Sequence, residues 1–528
     1  MSKPKVFVIG LDGATWDVIL PLVERGELPT FKKLIENGAW GVLKSTIPPV
    51  TIPAWPAFVT GKNPGKFGVF DFFVVDENGE SRIVTSKDIK SKKLWDYLGF
   101  FGLKSIVVNL PNSYPVEKIN GVMVSGMLTP EGKPFAYPPE VEEIAKEIGY
   151  VIEVDSDVIK KYRGKYELIN ELLRIIDKRF RFADYLLKRY KCDFFFILVR
   201  ETDIIQHSEF KNLNKIATVY KYIDSKISEF IDRYFDDNTI FILMSDHGFS
   251  PLNKHIYINN LLYKNKLLKI NNQKISNNKN TDIIYRVLLK LGITKKDLGR
   301  IFKKFKLDKI VVKILPLSLL GSIPTSVYDV DMKESVAYFG GKFGMESTYI
   351  LINKQKFSTK EEYETTRTKI IEILKKVKDP KTGKPVITRV FKGEELFNGE
   401  FSSSAPDLVI LLEKGYSMNA SITKDGTIIE EIPLPSGTHD TDGIVLFYGR
   451  DIKPTKLDDA TIYDLMPTIL HIFGLPIPND VDGKILRSVF RENSEIATRD
   501  PSIIDVAQYR EMEEKDKIRR KIQKLKII

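Results

Sequence analysis

The 528-residue chain has one cysteine and five histidines, and these two scarcities carry different weight. Cys192 has no second cysteine to pair with, so an internal disulfide framework is excluded, as expected in a reducing compartment. Beside an apolar run, it reads as a small core residue. No apolar stretch reaches the roughly 18 residues that a membrane-crossing helix needs; Phe194 to Val199 and Ile240 to Met244 are strand-sized. The amino terminus also lacks a secretory core. After Met1-Ser-Lys-Pro-Lys, the run from Val6 stops at Asp12-Gly13, short of the roughly 7 to 15 apolar residues required. A soluble, cytoplasmic protein is the expectation.

The remaining composition is that of a globular protein. Hydrophobic residues make up 43%, charged residues 29%, and the mean hydropathy is −0.16, which excludes disorder of the whole chain. The net charge of +11 is unevenly spread. From Lys254 to Tyr328 there are 16 Lys and Arg against 3 Asp and Glu, so this segment alone exceeds the total and the remainder is near neutral. Such a segment is either a solvated insertion or an attractor for an anionic substrate, nucleic acid or an anionic lipid surface.

Continuous apolar runs end in polar loops: Val6 to Leu11 into Asp12, Phe194 to Val199 into Glu201-Thr-Asp203, and Ile240 to Met244 into Ser245-Asp-His-Gly248. Each run reads as a strand buried on both faces. Between them, Tyr166 to Leu187 and Leu213 to Phe235 have the three- and four-residue apolar spacing of helices. This alternation predicts an α/β sheet with helices on both sides, and in such sheets ligands bind beyond the carboxyl ends of the strands. The pattern changes after Ser250 and is read as resuming at Ser335, with strands at Tyr349 to Ile352, Leu408 to Leu412 and Ile444 to Phe447. The expected organisation is therefore a core of residues 1–252 and 331–495, an inserted basic cap at 253–330 with helices from Asp282 to Lys313, and a helical tail at 496–528. That tail could dock on the body, pair with another chain or touch a membrane surface.

Scarce as they are, three of the five histidines fall in acidic or glycine-containing loops at strand ends: His207, His247 and His439. Asp203 and His207 are spaced i and i+4, so a helical turn puts both on one face. Asp246-His247 follows a strand directly; adjacent side chains normally diverge, which suits one ligand on each side of an ion or a carboxylate bridging two. His439 lies in Ser436-Gly-Thr-His-Asp-Thr-Asp-Gly443, whose glycines permit close backbone approach. His255 and His471 lack such company and read as structural. Each feature taken singly, including Asp12 in Leu-Asp-Gly, is an ordinary turn or cap. Together, three carboxylates and three imidazoles match the mixed oxygen and nitrogen ligation of zinc or manganese. Thr51, in Pro48-Pro-Val-Thr51-Ile-Pro-Ala-Trp-Pro-Ala-Phe-Val-Thr-Gly61, is expected as a helix N-cap, with Pro53 and Pro56 in the first turn and Gly61 at the end. A hydroxyl there feels the positive end of the helix dipole, which favours a bound phosphoryl group, and a neighbouring metal would make it a nucleophile.

In their order along the chain, Asp12, the Thr51 segment ending in Val-Thr-Gly, Thr202-Asp-Ile-Ile-Gln-His207, Ser245-Asp-His-Gly-Phe249 and Gly437-Thr-His439 resemble the alkaline phosphatase superfamily. The nearest branch is the type I phosphodiesterase and nucleotide pyrophosphatase group, with its prokaryotic phosphohydrolase and phosphomutase relatives. The likeness covers about residues 5 to 490 apart from the insertion, and Ile462-Tyr-Asp-Leu-Met-Pro-Thr-Ile-Leu resembles the family's closing helix. It implies a three-layer α/β/α sandwich and hydrolysis of a small anionic phosphate ester through a phosphothreonine on Thr51. It also implies two divalent ions, zinc or alternatively manganese: one held by Asp203, His207 and His439, the other by Asp12, Asp246, His247 and the Thr51 hydroxyl. Relatives acting as mutases generally use serine at that position, and a noncatalytic binder of nucleic acid or lipid would leave the ligand set unexplained. Nucleotide pyrophosphatases typically carry an Asn three residues after the nucleophile; here Ala54 stands there, followed by Trp55, so nucleotide specificity is not implied.

Overall fold

The computed structural model describes residues 4–75, 81–271, 329–339, 347–423, 425–432, 436–512 and 514–515. Nine strands form the main sheet: β1 (Lys5–Leu11), β2 (Ala39–Lys44), β3 (Ser105–Leu110), β4 (Gly121–Ser125), β5 (Ala136–Tyr137), β6 (Phe194–Val199), β7 (Thr239–Met244), β8 (Asp442–Tyr448) and β9 (Thr455–Thr461), in the order β9-β2-β8-β7-β1-β6-β3-β4-β5. The central strands run parallel. β1 lies between β6 and β7, with Gly10 opposite Leu198 on one side and Met244 on the other. β8 and the short β5 are antiparallel to their neighbours.

Alternation along the strands explains the continuous apolar runs. Val6 and Val8 pack on one side with Trp55, Phe58 and Phe196, while Phe7, Ile9 and Leu11 pack on the other with Phe195, Ile197 and Phe230. Both faces are covered, so every position is apolar, and each large side chain removed from water contributes roughly 1.5 to 3 kcal/mol. Helix α1 (Thr51–Thr60) covers the first face; α2 (Tyr166–Arg189) and α4 (Leu213–Tyr234) cover the second. The short α3 (Glu201–Glu209) lies between α2 and α4 in the chain. The result is the expected three-layer α/β/α arrangement.

The expected extent of the insertion requires correction. Tyr349–Ile352 and Leu408–Leu412 do not rejoin the main sheet. They pair with each other, and Ala337–Phe339 and Ile387–Lys392 complete a separate four-stranded antiparallel sheet. Lys254–Tyr257 lies between Tyr416–Asn419 and Ile429–Glu431 in a further sheet. These strands share their own core, with Ile256, Ile350, Ile370, Leu374, Ile410 and Met418. Among the described residues, the chain returns to the main sheet only at β8, so the inserted unit spans about 252–436. A strand and helix pattern establishes that strands exist but not which sheet they join. The basic helices expected from Asp282 to Lys313 lie outside the described residues. The end of the chain is docked at least to Tyr509: Ile503–Ile504 pairs with Ile477–Pro478, and Tyr509 is buried against Tyr97 and Phe100.

Candidate metal and phosphoryl-transfer site

β1, β6 and β7 are adjacent and parallel, so their carboxyl ends lie side by side and deliver Asp12, α3 and Asp246-His247 to one edge. Gly13 makes the turn after Asp12 with φ +64°, and a Cβ there would press to 2.9 Å from Phe249 and 3.2 Å from His247. α3 starts immediately after β6 and puts Asp203 and His207 on one face, with His207 Nε2 3.3 Å from Asp203 Oδ1. Past β7, Gly248–Pro251 pairs antiparallel with Gly437–Asp440, opposing Phe249 to His439. That ribbon brings a histidine from nearly 200 residues later to the same edge. β2 runs in the direction of β1, and the turn beyond Lys44 leads into α1 and Thr51.

All seven residues named from the sequence converge. His207 Nε2 and His439 Nε2 are 3.1 Å apart, and each lies 3.3 Å from Asp203 Oδ1. His247 Nε2 is 3.3 Å from Asp246 Oδ2, 3.6 Å from Asp12 Oδ1 and 3.3 Å from Thr51 Oγ1. Although adjacent in the chain, Asp246 and His247 both reach toward one point. His247 also stacks on His439, with ring centroids 3.6 Å apart, and its nitrogen comes within 4.8 Å of both Asp203 and His439 ligand atoms. The two ligand groups therefore form one centre with His247 near the junction.

The donor set fits divalent cations. Each imidazole has its Nδ1 near a backbone carbonyl, which can only accept: Gly437 O at 3.3 Å from His207, Gly248 O at 3.0 Å from His247, and Pro49 O at 2.9 Å from His439. Nδ1 therefore carries the hydrogen, and in the neutral ring the Nε2 lone pair faces the centre. Each aspartate likewise has one oxygen engaged and one orphaned in the interior: Asp12 Oδ1, Asp203 Oδ1 and Asp246 Oδ2 make no hydrogen bond. Leaving buried acceptors unpaired is costly unless a cation serves them. The electrostatics agree. Burial, with the charges of Asp246 and Asp203, pushes Asp12 well above the usual carboxylate range, and burial also pushes Asp246 up. Burial and the neighbouring His439 push His247 down, keeping it neutral. In the ion-free centre Asp203, against its burial, is held low by His207 and His439 when those rings carry a second proton on Nε2, and by Arg200.

Thr51 is not the helix cap. Val50 occupies the N-cap with no side-chain cap bond, and Thr51 is the first helical residue. It is 4% exposed, and its hydroxyl faces His247. Gly61 ends the helix in the left-handed region as expected, whereas Pro56 lies inside it rather than in the first turn. Trp55 points away from the solvent edge: its Nε1 donates to Asp12 Oδ2 at 3.3 Å, and its ring would meet any Cβ at Gly10 at 2.7 Å. His255 and His471 are structural, bonded to Ser417 Oγ and Ile496 O at 2.8 Å each.

Sequence reasoning missed the supports. Thr202 Oγ1 donates to Asp12 O at 2.6 Å, Gln206 Nε2 to Gly13 O at 2.8 Å, and Gly13 N to Asp246 Oδ1 at 3.2 Å. Arg200 lies against both Asp12 and Asp203, tied on its other side to Glu153. Only its place beside the Asp203 motif could have drawn notice; nothing local pairs it with Glu153. A cavity of about 60 Å³ beside the centre is lined by Pro49, Ser250, Thr438, His439 and, from the inserted unit, Leu412 and Lys414.

Residues 6–442, from the first central strand to the start of β8, match the family model for type I phosphodiesterase / nucleotide pyrophosphatase. The chain belongs to this family. No curated protein sequence matches it. Among solved structures, phosphonoacetate hydrolase from Sinorhizobium meliloti 1021 in complex with phosphonoformate superposes with TM-score 0.55 at 13% identity, covering 89% of this chain and 95% of that one. An inactive variant of murine ectonucleotide pyrophosphatase/phosphodiesterase 5 in complex with AMP gives 0.50 at 14% identity, covering 90% and 96%. At such identity these likenesses establish the fold that this phosphodiesterase family member shares with them, and no more.

Proposed function

We propose that this phosphodiesterase family member hydrolyses small anionic phosphate esters, diesters or pyrophosphates, with Thr51 as nucleophile. The observation that carries the reading is the position of Thr51 Oγ1. It lies at the first turn of α1, 3.3 Å from His247 Nε2, at the edge where three carboxylates and three imidazoles meet, and it serves no capping role. Asp203, His207 and His439 would hold one divalent ion and Asp12, Asp246, His247 and Thr51 the other. Zinc suits the ligands best and manganese next. Bound there, such ions would lower the hydroxyl pKa and neutralise charge on the phosphoryl and departing oxygens.

The chain itself provides position and dipole. The first amides of α1 have no acceptor within the helix and would face a phosphoryl group bound at its positive end. Thr51 Oγ1 gives up its proton and forms a bond to phosphorus as the opposite ester bond breaks, and the alcohol or phosphate leaves having taken up that proton. Water then attacks the phosphothreonine, the bond to Oγ1 breaks, and the hydroxyl regains its proton. Two in-line displacements retain configuration at phosphorus. Ala54 offers no side-chain donor where nucleotide pyrophosphatases typically carry Asn, so nucleotide specificity is not part of this reading.

Acid quenching of the ion-loaded enzyme turning over a chromogenic diester, beside its monoester partner, tests the reading. Phosphate trapped on Thr51 is expected. Thr51→Ala should lose about 10³-fold or more in kcat at almost unchanged Tm, and Thr51→Ser should retain much of the rate. An alanine variant of near-normal kcat would sink the mechanism.

A further inference from the structure

Asp12 and Asp203, one from each ligand group, share the guanidinium of Arg200. Arg200 Nη2 donates to Asp203 Oδ2 at 3.2 Å, Nε lies 3.7 Å from Asp12 Oδ2, and Nη1 donates to Glu153 Oε2 at 2.9 Å. Its side chain is 11% exposed. Among the described residues, no other Lys or Arg nitrogen comes within 4.0 Å of Asp12, Asp203 or Asp246. The pattern of oxygens is informative. Arg200 reaches only the Oδ2 atoms, leaving Oδ1 of both aspartates unpaired toward the centre. A guanidinium is always charged and has no lone pair, so it cannot itself be a ligand.

We infer that Arg200, its charge moderated by Glu153, is the internal counter-cation of this centre. It holds the carboxylates together when ions are absent and opposes the ions when they bind, so it sets affinity below what the ligands alone would give. The inference rests on the two-ion reading above. Its physical basis is the sign of the interactions. A fixed positive charge a few ångströms away attracts the empty carboxylates and repels a dication on the same carboxylates, and little water intervenes to screen either effect. The contact with both Asp12 and Asp203 spreads the effect over both ligand groups. Glu153 has the opposite sign. It draws part of the guanidinium's field toward itself and should therefore favour the ions.

A purely structural brace predicts weaker ion binding whichever partner is removed, whereas a counter-cation predicts opposite signs for Arg200 and Glu153. The test is calorimetric titration of chelator-stripped full-length protein with Mn²⁺ and with Zn²⁺, alongside thermal melts of stripped and loaded forms. Arg200→Met should tighten both ions by on the order of tenfold and lower the Tm of the stripped protein more than that of the loaded one. Glu153→Gln should weaken both ions by a similar factor. Arg200→Lys, which keeps the charge, should stay within about threefold of wild type. Weaker or unchanged ion binding in Arg200→Met overturns the inference. If that variant does not fold when stripped, Glu153→Gln decides: unchanged or tighter binding overturns it. Wild-type protein that takes up no divalent ion overturns the two-ion reading and this inference with it. Two ions bound with the same affinity in every variant overturn the inference alone.

Discussion

The two halves of the centre are built differently. Asp12, Asp246 and His247 are fully buried, and all three follow central strands of the main sheet directly. Asp203, His207 and His439 come instead from a one-turn helix spacing and a two-stranded ribbon, and the His207 side chain is 33% exposed. The inner half is fixed by the most rigid part of the fold and has Thr51 against it. The outer half depends on α3 and on the ribbon from which the inserted unit departs. Under the proposed mechanism, this arrangement would hold the Thr51 hydroxyl rigidly while ligand and ions enter past the outer, more exposed residues.

The largest effect that would sharpen this contrast is the loss of one ligand from each half. Asp246→Ala should lose the inner ion and about 10³-fold in turnover, because Thr51 belongs to that half; His207→Ala should lose the outer ion and about 10²-fold. Elemental analysis beside kinetics reads both, and equal losses in the two variants would break the hierarchy. Chelation comes next. Stripping with a chelator should be biphasic, the outer ion leaving about tenfold sooner, since its ligand is the exposed one; a single phase of ion release would mean the halves exchange together.

Acid should act on the inner half through its carboxylates. Burial raises Asp12 and Asp246, so in the ion-free protein both hold protons at higher pH than ordinary aspartates. A cation must displace those protons, so inner-site affinity is strongest above the raised values and weakens as pH falls through them. His247 is pushed down and adds no competing proton. Titration in buffers of different ionisation enthalpy should show proton release on ion binding, and uptake or none would contradict this assignment. The smallest effect is expected from Trp55→Phe, which removes the 3.3 Å bond to Asp12 but keeps an aromatic ring in the core. About 0.5 to 1.5 kcal/mol should be lost in inner-ion affinity, with Tm nearly unchanged, by calorimetry and thermal melt.

Much of the centre was legible because it is local. An apolar run too short for a helix, ended by Asp12 or by Asp246-His247, already implies a buried strand with a polar residue at its end, and i, i+4 spacing puts Asp203 beside His207 on any helix. The supports were not legible, since Arg200 and Glu153 are 47 residues apart and meet only at the 2.9 Å contact in the folded chain. Nor was the role of Thr51 at its helix: a threonine before Ile-Pro reads as a cap, and only the backbone angles at Val50 show that the helix begins one residue earlier than a cap at Thr51 would require.

The sequence by itself determined the kind of layers this protein has and the residue types at its centre, because burial on both faces of a strand and the turn of a helix are written in neighbouring residues. Tertiary structure decided the partnerships. The main sheet takes β8 beside β7 and passes over the strands from Lys254–Tyr257 to Ile429–Glu431, which form sheets and a core of their own. A strand carries the same apolar signature whichever sheet accepts it, and the choice is made by side chains that meet across long stretches of chain. The same holds at the centre, where Phe249 opposite His439 closes the ligand set only because two distant segments pair edge to edge.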